Sequence, residues 1–126
     1  MQFSVALSKQ VDTDSAALEV AASIRTQLGG TPIDLVCVFF SAHHTEGAGR
    51  LAELLTGTLR PKLLLGCSGE GVIAGAEELE TTPALTVWAA VLPDVHLHPL
   101  HSSFSPTQDQ FHLTGWPIPG VDDGSF

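Results

Sequence analysis

The residues best equipped for chemistry lie in two short polar breaks, each at the end of an apolar run. Gly66-Cys67-Ser68-Gly69-Glu70-Gly71 joins a thiol, a hydroxyl and a carboxylate to three glycines. Glycines at this density let backbone N–H groups approach an acceptor closely, as in an anion-binding nest. Ser41-Ala42-His43-His44-Thr45 supplies two imidazoles after an earlier apolar run. Cys67 or Ser68 with His43 or His44 has the composition of a nucleophile and base for acyl transfer, with loop amides as an oxyanion hole. The alternative is a non-catalytic pocket in which the amides receive a ligand carboxylate and Glu70 its ammonium. A third reading makes the loop a plain chain reversal inside a structural or interaction domain.

The known fingerprints come close and then break. Gly66 and Gly71 have P-loop spacing, but Val72-Ile73 stands where Lys-Ser/Thr should follow. Gly69, Gly71 and Ala74 match a dinucleotide pattern, yet Thr81-Thr82-Pro83 interrupts the helix that pattern needs. Glu70 takes the last glycine position of a nucleophile elbow. Six histidines invite a metal reading, with His96 and His98 on one strand face and His101 close behind. No Cys-x-x-Cys or His-Glu-x-x-His accompanies them, so neither metal nor cofactor is expected.

These loops need elements to hold them. Phe3 to Leu7 alternates as a strand. Asp12 to Asp14 caps a helix carrying Ala17, Leu18, Ala21, Ile24 and Leu28, which Gly29-Gly30 and Pro32 stop, predicting a helix from Asp14 to Leu28. Leu35 to Phe40 is continuously apolar, the pattern of a strand buried on both faces of a parallel sheet. Leu51, Leu54, Leu55 and Leu59 mark a second helix, about Ala48 to Leu59, ended by Pro61. Leu63 to Leu65 is another strand, leading into the glycine loop. Leu85 to Leu92 and Val95 to His98 then read as an antiparallel hairpin extending the sheet. The fold class is therefore α/β: a single domain with a mixed β-sheet of five or six strands, β-α-β-α-β crossover units and then an antiparallel hairpin. In consecutive parallel strands both polar breaks reach one sheet edge, where open α/β sheets bind ligands.

Composition narrows the partners. The 126 residues suit one domain, and 44% are hydrophobic. Fourteen acidic against five basic residues give a formal charge of −9. With no basic run, nucleic acid and anionic membrane are poor partners. No apolar run approaches the ~20 residues of a membrane span. Met1 to Val11 lacks the basic and apolar regions of a signal peptide. Cys37 and Cys67, within apolar runs, read as buried reduced thiols of a cytoplasmic protein.

The order and spacing of the blocks resemble a known family. An alternating strand, Ser8, Asp12 to Asp14 and an Ala-rich helix come first. Asp34 to His44, Leu64 to Gly75, then Glu78, Glu80 and Pro83 to Val87 follow. Together, over roughly Phe3 to Leu100, they resemble the N-terminal portion of the FIST domain, a sensory module of bacterial and eukaryotic signalling proteins. The resemblance implies a small-molecule sensor, with amino acids as proposed ligands, joined to signalling output domains. The positions matching the family are Ser41 with His43, and Gly66, Cys67, Ser68, Gly69, Glu70 and Gly71. They place a ligand between the two loops.

The family pattern stops near Leu100, and 102–126 reads as an irregular tail after a domain at 1–101. Phe104, Phe111, Trp116, Ile118 and Phe126 have no readable element to bury them. With only two helices to cover a sheet, an incomplete domain is expected. It would contact a second copy, as a homo-oligomer, or the remainder of a longer protein.

Overall fold

The computed structural model describes residues 1–106, 108 and 110–114, with residues 104 and 111–114 described by backbone alone. Trp116, Ile118 and Phe126, and the side chains of Phe104 and Phe111, lie outside the described residues. The chain divides into two units, Met1–Asp94 and Val95–Phe126.

The first unit opens with β1 (Gln2–Ser8) and α1 (Thr13–Leu28). Asp12 caps α1 by accepting from the Ser15 amide, and Gly29 ends it at φ 63°, a left-handed turn that costs glycine nothing. Then come β2 (Leu35–Phe40), a 3-10 turn (Ala42–His44), α2 (Ala48–Leu59) and β3 (Leu63–Ser68). A hairpin of β4 (Gly71–Ala74) and β5 (Glu77–Glu80) precedes β6 (Leu85–Val91). The main sheet has the order β1-β6-β2-β3, with β6 antiparallel to both neighbours and β2 parallel to β3. The α/β class, the mixed sheet and both helices stand as the sequence indicates, but the sheet has four strands rather than five or six, because β4 and β5 pair only with each other.

Two strand assignments need correction. Leu85 to Leu92 does not begin a hairpin with Val95 to His98. It fills the centre of the sheet, and 95–98 form no strand. The hairpin that follows the crossover units is built from Gly71 to Glu80 instead. Leu35 to Phe40 is also not buried on both faces. Val36, Val38 and Phe40 are buried, whereas Cys37 is half-buried and Phe39 is 42% exposed.

Register explains the difference. Ala6, Val87, Val38 and Gly66 share one cross-strand row, and this face carries the core. Val20, Ile24 and Leu28 of α1 and Leu51, Leu55 and Leu59 of α2 pack there. Val5, Trp88, Cys37 and Leu65 form the next row, which points to the other face. Among the described residues no helix covers that face. The β4–β5 hairpin folds against β6 and β1, and Val72 is buried outside the helix-side cluster. Phe3 stacks on Trp88 at 5.5 Å, and Lys9 pairs with Glu77 at 3.0 Å.

In the second unit β7 (Ser103–Pro106) pairs antiparallel with β8 (Phe111–Thr114), in a stretch whose sequence shows no periodicity.

Candidate functional site

Parallel pairing of β2 with β3 sets Phe40 beside Ser68 and delivers both polar breaks to the same sheet edge. The Gly69 amide donates to the Phe40 carbonyl at 2.9 Å, extending the pairing one step into the glycine loop. Next to this junction lies a cavity of about 280 Å³, lined by Phe39, Cys67, Ser68, Gly69, Gly71 and Ile73. Its wall combines an aromatic ring, an aliphatic side chain, a thiol, a hydroxyl and two glycines. That suits a small ligand with an apolar body and an acceptor group.

Ser41 and His43 form a separate, tighter arrangement. The buried Ser41 ties the end of β2 to the approach to β6: its amide donates to the Ala84 carbonyl, and its Oγ accepts from the Ala84 amide at 3.0 Å. The same Oγ is hydrogen-bonded to His43 Nδ1, 3.0 Å away, with the donor set by the imidazole tautomer.

His44 is fully buried, its Nδ1 2.9 Å from the Thr13 hydroxyl at the start of α1. Its Nε2 has no well-formed hydrogen bond. Burial, and then the neighbouring His43, hold its pKa below the ordinary imidazole value; the Gln10 backbone and Asp12 act more weakly the other way. It is a packed neutral imidazole.

The residues singled out in the sequence thus divide. Cys67, Ser68, Gly69 and Gly71 meet in the cavity. Ser41 and His43 meet each other. Gly66 belongs to the helix face, lining a groove beside α2. A Cβ on Gly66 would stand 2.3 Å from the Val38 carbonyl oxygen, so close approach of the strands demands glycine there. Glu70 is exposed on the loop between Gly69 and Gly71. Both cysteines are free, but Cys67 is exposed rather than buried, because an edge strand with no helix over its outer face leaves it open. Cys37 is half-buried, and desolvation pushes its thiol pKa up. Both imidazoles proposed as bases have other partners, His43 on Ser41 and His44 on Thr13. His96 and His98 stack with ring centroids 6.1 Å apart. Among the described residues no three His, Cys, Asp or Glu side chains cluster as metal ligands.

Phe39 and Ile73 are the cavity walls that sequence reasoning missed. Their signal is period two: Phe39 is the register partner of Cys67, while Cys67, Gly69, Gly71 and Ile73 recur at every second position.

Comparison with known proteins places this geometry. Residues 34–111 match the FIST N domain, spanning β2, the glycine loop, the hairpin and β6. The chain belongs to the FIST N family. This is a family of sensory domains of signal transduction. Among curated proteins, this FIST N chain is 36% identical over 117 residues to the uncharacterized protein Rv0628c of Mycobacterium tuberculosis, covering 92% of this chain and 30% of that protein. It is 31% identical over 90 residues to the uncharacterized protein Mb0898c of Mycobacterium bovis, covering 71% of this chain and 23% of that protein. The chain therefore spans less than a third of the length of the curated relatives it matches. No solved structure matches it. Among the described residues no helix of this FIST N chain is long and apolar enough to cross a membrane.

Proposed function

We propose that the chain is a ligand-binding part of a cytoplasmic sensor, taking a small amphipathic metabolite of the amino-acid class in the cavity between the glycine loop and the hairpin. The carrying observation is the cavity itself, at the carboxyl end of two parallel strands and walled by Phe39, Ile73 and the Gly69 and Gly71 backbone. In this reading loop amides receive the ligand carboxylate, Glu70 faces its ammonium, and the apolar walls take its side chain. Ser41, with His43 on its hydroxyl, acts on the adjoining loop by fixing the end of β2 to Ala84. Free thiols at Cys37 and Cys67 suit a reducing compartment.

Thermal-shift screening of amino acids and related metabolites tests the reading. A ligand at 100 times its dissociation constant adds about 2.7 kcal/mol to folding stability. Ile73→Trp fills the cavity from an exposed position and removes the shift, while Glu70→Gln weakens only ligands that carry an ammonium. Flat melting curves throughout the screen, from protein shown to be folded, overturn it.

A further inference from the structure

The main sheet ends in two unlike edges. At β1 the Gln27 side chain reaches over from α1: its Nε2 donates to the Val5 carbonyl at 3.0 Å, and its Oε1 accepts from Ser4 Oγ at 2.8 Å. That edge is partly closed by its own chain. At the other end β3 pairs with β2 alone among the described residues. Its six residues, Leu63-Leu64-Leu65-Gly66-Cys67-Ser68, include no charge and no proline, the usual devices that keep an edge from pairing. Leu65 is 47% exposed on the outer face. On the helix face an apolar groove of about 170 Å³ opens beside β3, lined by Val38, Phe40, Ala48, Leu51, Leu55 and Leu64 among others. An added strand would satisfy the open backbone and bury alternate side chains on both faces.

We infer that a second copy of this chain occupies the β3 edge, the two β3 strands pairing antiparallel about a two-fold axis. Two observations select a second copy. The added strand must be apolar on both faces, and β3 itself, with Leu63, Leu65 and Cys67 on one face and Leu64 on the other, has that pattern. The chain also carries a net charge of −9, so two copies associate best through a segment that adds no like charge, and β3 is uncharged. Two-fold pairing keeps like faces together when Leu65 stands on the axis. Leu64 then lies opposite the partner's Gly66, two residues that both line the groove. The two four-stranded sheets become one continuous sheet, β1-β6-β2-β3 followed by its two-fold mate.

Analytical ultracentrifugation of the full chain over a concentration series tests this, with far-UV circular dichroism to establish folding. The wild type should sediment as twice 13.2 kDa. Leu65→Lys, which sets two ammonium groups together on the axis, should sediment as a folded monomer. Phe3→Lys, at the opposite side of the sheet, should stay dimeric. A wild type monomeric at every concentration overturns the proposal, as does a dimer that survives Leu65→Lys but is split by Phe3→Lys. If Leu65→Lys fails to fold, Leu65→Cys in a Cys37→Ala, Cys67→Ser background, which removes the neighbouring thiol of its own chain, decides. A mild thiol oxidant should convert it to a covalent dimer, and persistent monomer on non-reducing gels overturns the pairing.

Discussion

His44 sits where a proton is costly: fully buried, beside the positive end of α1, its Nδ1 engaged by Thr13. Its folded pKa lies below the ordinary 6.5, so the unfolded chain binds the proton more readily. The stability this provides is complete above about pH 6.5 and is lost as pH falls through the folded value. Urea denaturation between pH 7.5 and 5 should show that loss, and His44→Gln should flatten it. Asp34 acts in the same direction, further into acid. Lys62 at 2.8 Å and the Leu92 amide at 2.6 Å hold its pKa below 3.8, so its contribution persists until pH falls beneath the ordinary carboxylate range. Ser41→Ala leaves the Ala84 amide without its acceptor in a buried setting, a cost of about 1–3 kcal/mol that the same denaturation reads. Thiol reactivity separates the cysteines. Cys67 should label in the native state, and Cys37, half-buried and raised in pKa, should label much more slowly until the chain unfolds.

At the scale of elements, β2 and β3 approach so closely at Val38 and Gly66 that a methyl group has no place. Gly66→Ala should destabilise the domain by about 1–3 kcal/mol, read as a lowered urea midpoint with unchanged slope. Both helices were legible because their ends carry chemistry: Asp12 as an N-cap, Gly29 in a left-handed turn, Pro61 past the second. The position of β6 was not. An apolar β-rich run looks the same at a sheet centre as in a hairpin, and only long-range pairing tells them apart. Leu35 to Phe40 misled for a related reason. Its outward side chains are apolar too, so the alternation that would reveal an uncovered face is missing. Of the candidate site, the shared edge of the two loops could be read from strand order alone. Phe39 and Ile73 could not, because which side chains face a cavity depends on register and on where the hairpin folds.

For the whole molecule, the net charge of −9 left by fourteen acidic and five basic residues repels itself more in the compact state than in the unfolded chain. Added salt should therefore raise the melting temperature at pH 7, and a fall with salt would show that the few ion pairs dominate. The sheet order has a consequence for how the chain reaches this state. β6 is the last strand of the first unit to be made, yet it lies between β1 and β2, which begin the sequence. During synthesis those two early strands have no correct neighbour in common until residues 85–91 leave the ribosome. Folding must then wait for one late insertion that closes loops reaching back to the first residues. Ribosome-held chains ending before Leu85 should remain protease-sensitive, and protection should appear in one step once Val91 has cleared the exit tunnel.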